Sequence, residues 1–341
     1  MRKIKIVQIG LGHDHSKVVL ESLLRQTEIF DVAAIAVPDC EMVPFADDVH
    51  KYRDVKKIPF LSIEEAMSIP DLDGVIIETE EFNLTKYAIM AAEKGLNIHM
   101  DKPSGLEHSD FKRLIDILKA KNLVFTTGYM YRFNPVIMDA IQKVKNGEIG
   151  KVYSVEAQMS CEHTKEKRQW LDRFPGGMMF FLGCHLVDLI YQIQGEPLDV
   201  VPFNSCSGKD GVTSQDYGMV VFKYQNGASF AKTYAGEPGG FRRRQLVICG
   251  EKGTIEIRPL EVNCYGRPNY AVGDQLTKFR SVLADEGWDS EGELKESEVY
   301  NRYDGMMKNF AEIVCGEKDN PYDYDYELNL NRLVLKSCGK E

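Results

Sequence analysis

Along the first third of the chain, apolar residues fall in short runs separated by stretches with helical spacing. Ile4–Ile9 reads as a strand, and after a glycine turn Val18, Val19, Leu23 and Leu24 recur as the inner face of a helix does. Val32–Val37 reads as a second strand, and Leu61–Met67 as a turn and a helix start. Gly74–Ile77 is a third strand, Tyr87–Glu93 an Ala-rich helix ending at Gly95, and Asn97–Met100 a fourth strand. A helix over Phe111–Lys119 and a fifth strand over Leu123–Thr127 complete the series. Such alternation predicts βαβ units, right-handed crossovers and a doubly wound parallel sheet.

After Gly128 the period changes. Apolar alternation marks Val152–Met159, Gly218–Tyr224, Ser229–Tyr234, Gln245–Cys249 and Thr254–Ile257, with hairpin signals at Gln225-Asn226-Gly227 and Gly250-Glu251-Lys252-Gly253. One long helix, Met179 to Ile193, interrupts them, and Gly305–Cys315 and Glu327–Cys338 read as helices again. Seven acids against one lysine make Asp285–Glu298, with Trp288, a solvated loop. The expected fold class is therefore α/β, with a doubly wound domain over 1–127. An α+β domain over 128–341 follows it, built on a large, mainly antiparallel open sheet.

The length of 341 residues suits two domains of ordinary size. A net charge of −10 disfavours a binder of nucleic-acid phosphates, which relies on clustered Lys and Arg. No apolar run approaches the ~20 residues of a membrane span, and the N-terminus does not resemble a signal peptide. The eight cysteines contain no CxxC pair, so a reduced, cytoplasmic protein is expected.

The first strand runs into Gly10-Leu11-Gly12-His13-Asp14-His15, a G-x-G-x-x-H loop in which His15 stands at the third glycine of the dinucleotide fingerprint. The first two glycines permit the tight turn and the close approach of the pyrophosphate, which rests on the helix N-terminus. Neighbouring residues at a helix start rarely converge on one ion, so no metal is expected from His13, Asp14 and His15. Asp39, after the second strand, is the candidate to accept hydrogen bonds from the adenosine ribose, and no Arg follows to hold a 2′-phosphate. NAD is favoured, with NADP possible.

Three more segments complete a pattern. Asp101-Lys102-Pro103 follows the fourth strand, Tyr131-Arg132-Phe133-Asn134-Pro135 opens the second domain, and Gly176–Asp188 carries His185 in a Gly-rich helix. Together with the loop, they resemble the Gfo/Idh/MocA family of glucose–fructose oxidoreductase and inositol dehydrogenase relatives. The resemblance covers nearly the whole chain, with Asp101 where the family's Glu-Lys-Pro signature has Glu. It implies a Rossmann domain, a substrate domain whose sheet mediates a homodimer or homotetramer, and NAD(P)-dependent oxidation or reduction of sugars, cyclitols and related polyols. Gly10, Leu11, Gly12, His13, His15, Asp39, Glu78, Lys102 and Pro103 then form the expected cofactor site.

Oxidising a secondary alcohol requires a hydride acceptor and a group that takes the hydroxyl proton. His185 has the right ordinary pKa for that base, and the Lys102 ammonium can stabilise a developing alkoxide. Tyr131, Arg132, Glu162 and His163 join Lys102 and His185 as candidate substrate contacts. Trp170 is expected in core packing rather than stacked on a sugar, and Arg242-Arg243-Arg244 on a solvated or interface face. Two positions depart from the family: Phe181 stands one turn before His185 where the family places Asp, and Asn83-Leu84 replaces its usual His. Phe181 removes the base's usual orienter, and Asp188 is a doubtful substitute. The expected activity is hydride transfer between a nicotinamide and a sugar-like alcohol or ketone. The alternative is a non-catalytic NAD(P)-binding sensor.

Overall fold

The computed structural model describes residues 1–39, 41, 53–54, 56–264, 268 and 270–340. The chain divides into two units, Met1–Met130 with Tyr303–Asn331, and Tyr131–Arg302 with Arg332–Glu341.

The first unit is a six-stranded parallel sheet of β1 (Ile4–Ile9), β2 (Phe30–Ala36), β3 (Phe60–Leu61), β4 (Gly74–Ile77), β5 (Asn97–Met100) and β6 (Phe125–Thr127). Its order is β3-β2-β1-β4-β5-β6, so the doubly wound reading holds. The reversal of strand order falls between β1 and β4, and ligands bind outside the carboxyl ends of strands at such a switch point. The strands read as unbroken apolar runs because helices cover both faces. Val7, Ile9, Val75 and Ile77 are wholly buried against Phe111, Leu114 and Leu118 of helix His108–Lys121. Asn122, in the left-handed region at φ 53°, closes that helix.

Two differences from the sequence reading have local causes. The strand order includes β3, two residues long and too short for any period; it leads into the helical turn Ile63–Ala66, closed by a Ser62–Glu65 capping box. The boundary at 127/128 assigns Tyr303–Asn331 to the second domain, whereas these residues pack with the first unit. Phe310 lies edge-on to His99 at 6.0 Å between ring centres, and Asp304 accepts hydrogen bonds from Ser22 and Arg25. An amphipathic helix announces that it has a buried face, and its pattern is silent on which core that face joins.

The second unit holds an eight-stranded sheet ordered β16-β15-β12-β11-β7-β10-β9-β8. Its strands are β7 (Val152–Gln158), β8 (Asp199–Pro202), β9 (Tyr217–Tyr224), β10 (Gly227–Tyr234), β11 (Gln245–Gly250), β12 (Gly253–Ile257), β15 (Lys278–Leu283) and β16 (Lys295–Glu296). Every pairing is antiparallel except β7 with β10. Both hairpins fall at the turns the sequence marks. β13 (Val262–Asn263), β14 (Asp274–Leu276) and β17 (Tyr300–Asn301) make a small second sheet.

The long helix of this unit is in two parts, a π-helical turn over Met179–Gly183 and an α-helix over Cys184–Gln194. The Gly-rich segment before it is needed sterically: a Cβ on Gly177, at φ 49°, would lie 2.1 Å from the Gln215 carbonyl oxygen. Buried cations of this unit are paired, Arg132 with Asp188, Arg168 with Asp216 and Arg244 with Glu261. The arginine run sits in a 3₁₀ turn, with Arg243 on Glu237 and Arg244 on Glu261.

Candidate functional site

In the first unit the loop after β1 is fixed from several directions. The Gly10 N–H donates to the Ala36 carbonyl at 2.7 Å, and the Gln8 amide donates to the Gly10 and Ser16 carbonyls at 3.2 Å. Gly10 is obligatory: φ is 90°, and a Cβ would lie 2.5 Å from the Thr79 backbone nitrogen.

Beyond Gly10 the loop amides hold an anion. The Leu11 N–H donates to the Glu41 carboxylate at 2.7 Å, and the Glu80 N–H donates to its other oxygen at 2.9 Å. A Cβ on Gly12 would fall 2.6 Å from Glu41 Cγ, so this carboxylate fills the hollow over the second glycine. Burial pushes the Glu41 carboxyl up to about 7, against the opposing pull of the Leu11 and Glu80 amides. These amides and the open Gly12 fit a dinucleotide pyrophosphate, for which Glu41 is the internal stand-in. Asp39 is exposed, and the acid that reaches the loop is Glu41, two residues later. Both belong to one turn after β2, and sequence distance alone does not choose between them.

The strand ends beside the loop gather buried charge. His13, Glu78, Asp101 and Lys102 are each at most 1% exposed. The Lys102–Pro103 peptide is cis. The His13 Nε2–H donates to the Lys102 carbonyl at 2.9 Å, while Nδ1 accepts the His15 backbone N–H at 3.1 Å. His15 Nδ1 lies 3.1 and 3.2 Å from the two oxygens of Asp101, whose Oδ1 also accepts the Lys102 N–H at 2.6 Å. Burial drives the His13 ring down to about 3, so it is neutral. Burial and the facing Asp101 carboxylate raise the Glu78 carboxyl well above its ordinary range. Burial alone would also raise Asp101, but the His15 ring hydrogen-bonded to it and the Lys102 ammonium hold it well below that range. The unit thus brings together Gly10, Leu11, Gly12, His13, His15, Glu78, Lys102 and Pro103, and adds Glu41 and Asp101.

In the second unit Tyr131 and His185 meet. Both are 1% exposed, with the rings edge-to-face at 5.4 Å between centres. The Tyr131 hydroxyl has no hydrogen-bond partner among the described residues. Arg132 is not placed as a substrate ligand: its Nε and Nη2 donate to Asp188 at 2.7–3.2 Å, and both groups are buried. Asp188 also accepts from Gln192 at 2.9 Å. Asp188 is therefore committed to Arg132 and Gln192, which is why it is a poor substitute for the missing acid.

Phe181 packs with rings. Its ring centre is 5.5 Å from Trp170 and 6.1 Å from His163, and the Lys167 ammonium lies 3.6 Å from the Trp170 centroid and 4.6 Å from that of Phe181. Trp170 also packs edge-on against Phe174 but is half-buried, at the margin of the core rather than within it. His163 belongs to this cluster, while Glu162 is exposed, 3.7 Å from Lys209 Nζ.

A parallel sheet with this strand order and an amide-lined glycine loop defines a dinucleotide-binding Rossmann unit. Residues 4–129 match the family described as oxidoreductases with an NAD-binding Rossmann fold, and residues 137–256 match the GFO/IDH/MocA C-terminal domain. The chain belongs to the Gfo/Idh/MocA family of NAD(P)-binding oxidoreductases. It is 25% identical over 318 residues to the uncharacterized oxidoreductase YhhX of Escherichia coli, covering 88% of this chain and 87% of that one. It is 34% identical over 87 residues to the scyllo-inositol 2-dehydrogenase (NAD(+)) of Bacillus subtilis, covering 26% and 25% of the two chains. The aldose-aldose oxidoreductase of Caulobacter crescentus shares the fold, with a TM-score of 0.79 at 18% identity over 98% of this chain and 96% of that one.

Proposed function

We propose that this protein moves a hydride between NAD(P) and a secondary alcohol or ketone of a sugar, cyclitol or related polyol. The observation that carries the reading is a lysine, Lys102, buried at the carboxyl end of β5 in the same strand-end cluster as the anion-holding glycine loop. Its ammonium stands near the Asp101 carboxylate, whose charge offsets the cost of burying it. Here it serves to polarise the hydroxyl and stabilise the alkoxide as hydride leaves. His185 takes the hydroxyl proton, and the unpartnered Tyr131 hydroxyl supplies a hydrogen bond to the sugar-like ring. NAD(P), when bound, supplies the hydride acceptor; Leu11 and Gly12 hold its pyrophosphate, and Asp39 or Glu41 its ribose. The similarity to the inositol dehydrogenase of Bacillus subtilis supports a polyol. The test is nicotinamide absorbance across sugars, inositols and glycosides with NAD and NADP in parallel. Turnover lost in both Lys102→Ala and His185→Ala supports the assignment; turnover unchanged in both overturns it.

Phe181 favours a second reading, a cofactor-binding sensor without turnover, because the position four before His185 holds a ring that packs on Trp170 in place of an acid. Tight NADH binding with no reduction across that panel supports it.

The assembly we propose is a homodimer or homotetramer through the eight-stranded sheet, measured by light scattering. No helix among the described residues is long and apolar enough to cross a membrane. The described cysteines are all free, in keeping with the cytoplasm as its compartment.

A further inference from the structure

His13 and His15 are neighbours in sequence, and Asp101 is 86 residues beyond His15, on another strand. The fold brings one ligating atom of each within 4.8 Å of the others. Asp101 Oδ2 is 3.4 Å from His13 Nδ1 and 3.1 Å from His15 Nδ1. Ligands at ~2.0–2.1 Å from a tetrahedral ion stand roughly 3.3 Å apart, so both separations match. Glu78 is the fourth group: its Oε2 is 3.8 Å from His13 Nδ1. The residue is 0% exposed, and its carboxyl meets the carboxyl of Asp101 across a shared proton. A buried carboxyl so placed is costly and calls for a cation or a shared proton.

The tautomer of His13 is also set for ligation. Its Nε2–H is spent on the Lys102 carbonyl, which leaves Nδ1 with its lone pair and no proton, 3.4 Å from Asp101 Oδ2 and 3.8 Å from Glu78 Oε2. A second-shell carbonyl on the far ring nitrogen is the usual arrangement for a metal-bound imidazole. The His15 amide now borrows that lone pair at 3.1 Å and would yield it to the ion. His15, with 14% of its side chain exposed, gives the ion a route in. Two departures in the sequence also fall together here, His15 for the third glycine of the dinucleotide fingerprint and Asp101 for the Glu of the Glu-Lys-Pro signature.

We propose that His13, His15, Asp101 and Glu78 bind one divalent transition-metal ion of the zinc class. Two imidazoles and carboxylate oxygens suit zinc, iron, cobalt or manganese better than calcium or magnesium, which take oxygen alone. The ion ties the loop after β1 to the end of β5 and stiffens the loop that holds the dinucleotide. This is independent of the redox reading above.

The test uses full-length protein stripped with a chelator and free of nucleotide. Zn²⁺ is titrated by calorimetry, and Co²⁺ by visible absorption, which reports tetrahedral geometry. One ion per chain is expected, with the Co²⁺ bands and a Zn²⁺-dependent rise in melting temperature. His15→Ala and Asp101→Asn should each weaken Zn²⁺ by more than about 100-fold, beyond the loss a second-shell change produces. Glu78→Gln should weaken it less. His15→Ala serves if the buried Asp101 variant does not fold. Absence of saturable one-to-one binding, or equal affinity in His15→Ala, overturns the proposal. NADH binding by fluorescence on the same samples keeps the two readings apart. Protein that binds NADH and turns over without taking metal refutes only the ion, and a metal binder without turnover refutes only the dehydrogenase.

Discussion

At the strand ends of the first unit, His13, Glu78, Asp101 and Lys102 are buried within a few ångströms of one another. In the second unit His185 lies against the ring of Tyr131, Phe181 packs with Trp170 and His163, and Asp188 is held by Arg132 and Gln192. The first region keeps buried charge tolerable by letting groups share protons and opposite charge. Glu78 is driven towards its acid form, His13 is neutral, and Asp101 remains ionised. The second region has little charge to share and uses rings. The contrast fits the two tasks of the proposed function. Binding a phosphate-rich cofactor and polarising an alcohol need concentrated charge, whereas choosing among ring-shaped substrates can be done by shape and aromatic faces.

The comparison breaks first at the residues assigned to chemistry. His185→Ala should lower turnover by roughly 10²–10⁴-fold, the usual worth of a positioned acid–base group, with NADH affinity within a few-fold of wild type. A drop in NADH affinity alone would place His185 outside the chemistry. Next in size is the buried pair: Arg132→Met leaves the Asp188 carboxylate buried without its cation, with Gln192 still donating to it, and should cost about 3–5 kcal/mol in denaturant unfolding. An unchanged unfolding midpoint would show that Arg132 is free for substrate after all. Gly10→Ala forces a side chain into the Thr79 backbone at φ 90° and should cost about 1–3 kcal/mol and weaken NADH binding with it.

The smallest effect sharpens the cofactor half. The Glu41 carboxyl titrates near 7, raised from its ordinary value by burial. An acid with a raised pKa is held most firmly when protonated, so its charged form is the strained one and its stabilising share falls as pH rises through 7. Above 7 the carboxyl is charged, is held less firmly and yields the loop amides to phosphate more readily, and its displacement releases a proton below 7. NADH affinity of the wild type should therefore rise by up to about tenfold from pH 6 to pH 8, and Glu41→Gln should flatten that slope. Parallel slopes in both proteins would mean that Glu41 does not compete for the amides.

How much of this was legible in the sequence differs between the same two regions. The alternation around β1, β2, β4, β5 and β6, the Gly10–Gly12 turn and Lys102 were readable because each depends on short-range pattern. The antiparallel hairpins of the second unit were readable for the same reason, since loop length fixes them. The packing of Tyr303–Asn331 with the first unit, and Asp101 meeting His13 and His15, were not, because period and spacing carry no long-range partner. Glu41 was passed over for Asp39 because two acids share one turn and only the fold shows which carboxylate turns back on the loop. Arg132 read as a substrate contact because its motif lies at the domain opening; its bidentate hold on Asp188 depends on a helix more than fifty residues later.

The most direct test of the account follows the hydride itself. A polyol that the protein accepts, deuterated at the carbon bearing the reacting hydroxyl, is incubated with NAD⁺, and the reduced nicotinamide is analysed by mass spectrometry. The account predicts one deuterium in the nicotinamide, a slowed rate with the labelled polyol, and loss of the transfer in His185→Ala. Deuterium retained in the sugar or lost to water, with the nicotinamide unlabelled, would contradict it.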